Sequence, residues 1–234
     1  MGNVVELLGI PGCGKSTLVD YCAPNPKHII QRNDLKPSEL ERELIRRFYI
    51  DSKSIFRNRA IHSFINEYPE ANQLFVRKLI ETHCKLKKTG GKIVLLDEGL
   101  IDRMTGIPFD KQLIIDDAFF NVVNLINSTE ALVFNCQCPI DVSIKRLRLR
   151  ESLVSNASGR YYDKNDEILK TKLMTKQHNN DTFLSCYKGR VVTIDMTKPI
   201  EDTAIVIQDT INEFFSNTNK KLFLKVASTQ LNHE

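Results

Sequence analysis

The residues Gly9–Thr17 read GIPGCGKST, which contains a complete G-x-x-x-x-G-K-S pattern. Residues 4–8 before it are apolar except for Glu6 and predict a short buried strand, and residues 17–22 after it can begin a helix. A strand, a glycine-rich loop and a helix in this order aim backbone N–H groups and a helix N-terminus at a phosphate. The motif therefore predicts a nucleoside triphosphate site. The alternative, a chance match in an ordinary glycine-rich turn, does not account for the flanking strand and helix.

Each part of this loop has a chemical task in that interpretation. Gly9, Gly12 and Gly14 allow backbone angles and close approaches that a side chain would forbid. Lys15 can reach the β- and γ-phosphates of ATP, and the Ser16 hydroxyl can join the coordination shell of Mg²⁺. The predicted nucleotide contacts are Gly9, Pro11, Gly12, Cys13, Gly14, Lys15, Ser16 and Thr17.

The composition is that of a globular protein of ordinary polarity. The 234 residues are 41% hydrophobic and 26% charged, which fits one α/β domain with a sizeable core. The formal net charge of +4 suits a small anionic substrate and is too weak to indicate nucleic acid or a membrane as a partner. The chain has no apolar segment long enough to span a bilayer and no signal-peptide pattern, so we expect a cytoplasmic protein.

Helical and strand-like patterns alternate along the rest of the chain, which predicts a parallel sheet flanked by helices. Further strands are predicted at 27–31, 92–96, 131–134 and 190–194, and helices at 37–48, 52–65, 70–88, 110–126, 141–150, 167–186 and 199–215. We expect an α/β fold with a five-stranded parallel sheet. The expected organisation is one domain over 1–217, with a helical insert at about 35–90 and a lid at about 151–166, and a tail over 218–234.

Two carboxylates follow the third predicted strand. Because ligands bind at the carboxyl edge of open α/β sheets, Asp97 and Glu98 should lie beside the phosphate loop. One carboxylate there can hold Mg²⁺ together with Ser16, and the other can position or deprotonate an attacking hydroxyl. We assign Asp97 to the metal and Glu98 to catalysis, although the pattern does not separate the two roles. The alternative is that both carboxylates cap the next loop.

Arginines are concentrated on the helix predicted at 141–150. Arg146 and Arg150 are four residues apart and share a face, whereas Arg148 points away from them. Guanidinium groups are suited to stabilise the charge that spreads over a phosphoryl group during its transfer. We therefore predict catalytic roles for Lys15, Arg146 and Arg150. The alternative is a solvated basic face, which is the favoured interpretation for Arg148.

These features together resemble the P-loop nucleoside and nucleotide kinase superfamily, which includes thymidylate and adenylate kinases. The resemblance rests on the glycine loop, the acidic end of strand three, and a helix in which Pro139 precedes Arg146 and Arg150 and leads into a lid. It implies a three-layer P-loop NTPase fold with strand order 2-3-1-4-5. It also implies an ATP- and Mg²⁺-dependent kinase whose lid closes over ATP and brings arginines to the phosphates.

The acceptor side of the resemblance depends on fewer residues. A charged residue just after strand two and side chains of the following helices grip the acceptor in this family. The corresponding candidates are Asp34 as a general base and Arg32 and Arg57 as acceptor contacts, and an exposed or core position is the alternative for each. After strand three the sequence DEGLIDR departs from the Asp-Arg-Tyr and Glu-Arg-Ser motifs of thymidylate and deoxynucleoside kinases. Arg103, also a candidate acceptor contact, comes later than their arginine.

Three classes of function are compatible with the sequence. We favour a kinase that transfers the γ-phosphoryl group of ATP to a small acceptor, with a nucleoside or nucleotide as the first choice. A polynucleotide 5′-hydroxyl kinase or another P-loop ATPase is the second class, but the chain lacks a basic, aromatic-rich patch. A nucleotide-binding switch is the third, but Thr197 and Lys198 lack the aspartate of a guanine-specific motif. The oligomeric state is open, and a homodimer is one option.

Overall fold

The computed structural model describes residues 3–22, 29–30, 93–106, 112–113, 115, 120, 123, 130–153 and 165–230. The strands are β1 (Asn3–Leu8), β2 (Ile29–Ile30), β3 (Ile93–Leu96), β4 (Glu130–Gln137) and β5 (Arg190–Asp195). The helices with described bounds are α1 (Lys15–Cys22), α2 (Leu100–Gly106), α3 (Ile140–Leu153), α4 (Asp166–Cys186) and α5 (Ile200–Gln230). The helices predicted at 37–48, 52–65 and 70–88 lie outside the described residues, as does most of 110–126.

The described strands form a parallel sheet in which β1 lies in the middle. Their order is β2-β3-β1-β4-β5. Val5 of β1 pairs with Leu95 of β3 on one side and with Leu132 of β4 on the other. The apolar side chains described on β1 are fully buried, as expected for a strand with both faces covered. The prediction of an α/β protein built on a parallel sheet is confirmed.

The helices hold the sheet through a continuous apolar core. α1 contacts α5, and α4 contacts α2 and α3. Leu18 of α1, Phe134 of β4, Leu173 of α4 and Ile207 of α5 all belong to the main buried cluster. Full burial of one such side chain contributes about 1.5–3 kcal/mol to folding. Both elements that flank the loop after β1 are therefore anchored in the core.

Two helices extend beyond their predicted ends. The polar residues after 215 predict an end there, but α5 continues to Gln230. No proline or glycine lies between 200 and 230, so the backbone has no strong helix breaker in this segment. α3 continues to Leu153, so the first residues of the predicted lid are helical. Long as it is, α5, like the other helices of the described ranges, is too short or too polar to cross a membrane.

Candidate active site

The predicted phosphate loop connects the end of β1 to the start of α1. Gly12 and Gly14 have φ angles of 81° and 108°, in the left-handed region that favours glycine. At Gly9 the reason for glycine is space, because an added Cβ would lie 2.7 Å from the carbonyl oxygen of Cys136. The structure brings the predicted nucleotide contacts together in this loop and the first turn of α1: Gly9, Pro11, Gly12, Cys13, Gly14, Lys15, Ser16 and Thr17.

Lys15 is folded back over the loop. Its ammonium group donates to the carbonyl oxygen of Gly9 at 2.7 Å and to that of Ile10 at 3.3 Å. It also lies 3.9 Å from the carboxylate of Asp102 on α2. Burial by itself lowers the pKa of Lys15, but the Coulombic effects of Cys13 and Asp102 outweigh burial and raise the pKa above its ordinary value. Lys15 is therefore a charged group at the mouth of the loop.

Ser16 and Asp97 meet beside Lys15. The Ser16 hydroxyl donates to Oδ2 of Asp97 at 2.7 Å, and Asp97 is 7% exposed at the end of β3. A hydroxyl and a carboxylate are hard oxygen ligands of the kind that Mg²⁺ prefers. The described residues contain no group of three or more histidine, cysteine, aspartate or glutamate side chains placed to hold a metal. Mg²⁺ bound through one carboxylate, a hydroxyl, phosphates and water needs no such group, so the residues present fit this ion.

A buried carboxylate on β1 holds the turn that carries Asp97. Glu6 is 0% exposed and accepts hydrogen bonds from the backbone N–H groups of Gly99 at 3.1 Å, Ile101 at 3.2 Å and Asp102 at 2.7 Å. These N–H groups lie at the start of α2, where the positive end of the helix dipole favours an anion. In the sequence Glu6 only interrupts an apolar run. An acidic residue inside the strand that precedes the loop was the available signal.

Glu6 also explains the glycine in the DEGLIDR stretch. A Cβ added at Gly99 would overlap the carboxylate of Glu6. An arginine or another side chain cannot occupy this position while Glu6 keeps its place. The departure from the thymidylate and deoxynucleoside kinase motifs therefore has a steric reason in this chain.

Glu98 and Arg103 form an ion pair with each other. Their side chains are 35% and 27% exposed, so the pair lies at the surface of the carboxyl edge of the sheet. The sequence analysis assigned Glu98 to catalysis and Arg103 to the acceptor as separate residues. The structure places them together, one on each side of the start of α2.

Arg146 of α3 binds the backbone of the phosphate loop. Its Nη1 donates to the carbonyl oxygen of Cys13 at 2.8 Å, and its Nη2 donates to that of Met196 at 3.0 Å. The side chain thus connects the loop to the residue that follows β5. Arg146 is beside the predicted phosphate position, and in this structure it shapes the loop that would hold the phosphate.

The other two arginines of α3 have different surroundings. Arg148 pairs with Asp166 at 2.8 Å and with Glu151 at 2.9 Å. These hydrogen bonds, first with Asp166 and then with Glu151, raise the pKa of Arg148. Arg150 is exposed, one helical turn beyond Arg146. Arg148 is thus bound to carboxylates at the two ends of the predicted lid, and Arg150 keeps an accessible guanidinium group on the face of Arg146.

Part of the predicted acceptor site lies outside the described residues. This part consists of Arg32, Asp34 and Arg57.

Comparison with known proteins adds a likeness in structure. The sequence matches no protein-family model and no curated protein sequence. Deoxyadenosine kinase from M. mycoides with bound dATP has a TM-score of 0.51 and 13% identity, covering 90% of this chain and 100% of that one. The same enzyme with its products dCMP and dCDP bound has a TM-score of 0.51 and 14% identity, covering 90% of this chain and 98% of that one. The chain therefore has the fold of the P-loop nucleoside and nucleotide kinases.

Proposed function

We propose that this chain is a phosphotransferase that uses ATP and Mg²⁺ to phosphorylate a small-molecule acceptor, with a nucleoside or nucleotide as the acceptor class. The observation that carries the proposal is the meeting of three groups at one sheet edge. These are the charged Lys15, the Ser16–Asp97 pair and a glycine loop in left-handed geometry. The proposal includes the complete three-layer P-loop NTPase fold, with five strands in the order 2-3-1-4-5 and a lid over 151–166.

The loop would do the chemical work mainly by positioning. Phosphoryl transfer needs little covalent help from a protein, so catalysis depends on alignment and on stabilisation of charge. The loop N–H groups and Lys15 would hold the β- and γ-phosphates, for which the Lys15 ammonium has to leave the carbonyl oxygens of Gly9 and Ile10. Ser16 and Asp97 would hold Mg²⁺, which supplies neutralisation of phosphate charge when bound.

The two arginines on one face of α3 would divide their tasks. Arg146 already binds the carbonyl oxygen of Cys13 and would fix the shape of the loop. Arg150 is exposed on the same face and would reach the transferred phosphoryl group when the lid closes. The exclusion of water by that closure would limit wasteful hydrolysis of ATP.

The acceptor would bind on the other side of the transferred phosphoryl group. Glu98, at the end of β3 next to Asp97, or Asp34 would orient the attacking hydroxyl, and Arg103, Arg32 and Arg57 would bind the acceptor. Support for a nucleoside comes from the similar fold of deoxyadenosine kinase, which is named for such an acceptor. A polynucleotide kinase, another ATPase and a switch module stay as the alternatives.

The decisive experiment is an acceptor screen with the purified full chain. ADP release from MgATP is measured with deoxynucleosides, nucleoside monophosphates, sugars and 5′-hydroxyl oligonucleotides, and the phosphorylated product is identified by mass. We expect the release rate to rise at least about tenfold with one nucleoside or nucleotide. Stimulation by oligonucleotides alone would favour a polynucleotide kinase, and guanine-only binding without acceptor dependence would favour a switch.

Asp97→Asn is expected to raise the Mg²⁺ concentration needed for half-maximal activity. The amide keeps the shape of the side chain but removes the charge that would attract the ion, and the loss of a ligand-shell group costs about 10–100-fold in metal affinity. The measurement is a Mg²⁺ titration of ADP release at saturating ATP. Asp209→Asn, at an exposed position on α5, is the matched control. An unchanged Mg²⁺ requirement in Asp97→Asn would remove Asp97 from the metal site.

Arg150→Ala is expected to lower kcat much more than the affinity for ATP. The guanidinium group would act on charge that develops only in the transition state, so its removal costs about 10²–10³-fold in kcat. Steady-state kinetics and nucleotide binding are measured on the same preparation. Arg190→Ala, which loses a surface contact with Glu213, serves as the control. A loss confined to ATP affinity would show that Arg150 binds ground-state ATP only.

A further inference from the structure

A second buried lysine lies behind the phosphate loop. Lys176 of α4 is 3% exposed, and its ammonium group donates to the carbonyl oxygen of Asp102 at 2.6 Å and to Oγ1 of Thr105 at 2.6 Å. It also lies 3.4 Å from Oδ1 of Asp102. An added Cβ at Gly106 would come within 3.2 Å of this ammonium group, so the glycine leaves room for it. Lys176 is thus surrounded by acceptors.

The carboxylate of Asp102 is shared between two lysines. Its Oδ1 lies 3.4 Å from Nζ of Lys176 and 3.9 Å from Nζ of Lys15, and the side chain is 14% exposed. Burial raises the pKa of Asp102, but the charges of Lys176, Lys15 and Arg103 outweigh burial and lower it below its ordinary value. Burial lowers the pKa of Lys176, and the charge of Asp102 opposes this effect. Asp102 therefore carries a negative charge next to the residue that would bind the phosphates.

That negative charge has a consequence for nucleotide binding. A carboxylate this close to Lys15 attracts the ammonium group and repels the phosphates it would bind, and low exposure strengthens both effects. If Lys15 moves toward a triphosphate, Asp102 loses part of its compensation and depends on the other lysine. Lys176 makes the nearer of the two contacts and is held by Thr105 as well.

We propose that Lys176 is a positioning residue that compensates the charge of Asp102, so that the charge of Lys15 is available to a triphosphate. The inference rests on the proposed function and extends it to a residue that has no place in the phosphate-loop motif. Lys176 would not touch the nucleotide. It would act through Asp102, and Glu6 would assist by holding the backbone of Asp102 with a hydrogen bond of 2.7 Å.

The first test compares MgATP binding by the wild-type chain and by Lys176→Met, using calorimetry without acceptor. Methionine keeps an unbranched side chain of similar length and removes the charge. We expect the dissociation constant of MgATP to rise at least about tenfold, because the carboxylate of Asp102 is then balanced by Lys15 alone. Thermal unfolding of both proteins shows whether the variant is folded.

The second test separates charge compensation from packing. The double variant Lys176→Met/Asp102→Asn removes both members of the pair, and we expect its affinity to return to within about threefold of the wild type. A lysine that only supports the packing of α4 on α2 would give a loss that the second substitution does not relieve. Thr105→Val is the matched control, because it removes one hydrogen bond of Lys176 and no charge. It should lower the melting temperature and leave MgATP affinity unchanged.

A third variant decides the case if Lys176→Met does not fold. Asp102→Asn alone removes the carboxylate that needs compensation, so MgATP should bind as tightly as to the wild type or more tightly. A tenfold loss in this variant would overturn the inference. Unchanged affinity in a folded Lys176→Met, with normal binding by the wild type, would overturn the inference and leave the proposed function standing. A wild-type chain that binds no nucleoside triphosphate would overturn both.

Discussion

Replacing Lys15 with alanine is expected to abolish phosphoryl transfer while the chain stays folded. The ammonium group would bridge the β- and γ-phosphates, and the loss of one such charge costs at least about 10²–10³-fold in rate. The fold should tolerate the change, because the bonds lost are two hydrogen bonds to the carbonyl oxygens of Gly9 and Ile10 at the loop surface. ADP release with the best acceptor and far-ultraviolet circular dichroism measure the two effects.

A lysine outside the site provides the control for this experiment. Lys145 of α3 is exposed, so Lys145→Ala removes the same charge from the chain without touching the loop. Its activity should stay within about twofold of the wild type, as expected for a surface substitution. Activity retained in Lys15→Ala would show that the glycine loop is not the phosphate site, and the proposed function would fall with it.

Replacing Glu6 with alanine is expected to cause the largest loss of stability among single substitutions near the site. Three backbone N–H groups at the start of α2, those of Gly99, Ile101 and Asp102, would lose their acceptor in a buried environment. Each unsatisfied buried donor costs about 1–3 kcal/mol, so we expect the free energy of unfolding to fall by about 3 kcal/mol or more. Urea unfolding followed by circular dichroism measures this change.

Glu6→Gln tests the reason for that loss. Glutamine has the same shape and keeps one carbonyl oxygen as acceptor, but its amide group presents donors where N–H groups already point. Its loss of stability should lie between those of the wild type and Glu6→Ala. Equal losses in the two variants would show that negative charge decides the contact, whereas no loss in either would show that α2 begins without help from Glu6.

The parts of the site that follow local patterns were predictable from sequence. The G-x-x-x-x-G-K-S pattern fixes the spacing of Lys15 and Ser16, and the apolar run before Asp97 identifies a strand. Strand ends meet at one edge of a parallel sheet, so the meeting of Ser16 and Asp97 follows from two separate local patterns. The parallel α/β architecture follows in the same way from the alternation of strands and helices.

The contacts that sequence reasoning missed join residues far apart in the chain. Glu6 reaches N–H groups more than ninety residues later, and Lys176 reaches α2 across 74 residues. A charged residue inside an apolar pattern signals a buried polar contact but does not name its partner. The face of Arg146 was predicted correctly, yet its bond to the carbonyl oxygen of Cys13 depends on how α3 packs against the loop.

The close fit of Glu6 against Gly99 has an evolutionary consequence. A lineage that acquires a side chain at position 99 must already have lost the acid at position 6, since the two cannot occupy the same space. The two positions should therefore covary among descendants of this sequence, with glycine retained wherever the acid is retained. Glu6 thus closes one historical route to the arginine that thymidylate and deoxynucleoside kinases carry after their third strand, and any arginine serving the acceptor here has to be recruited from elsewhere.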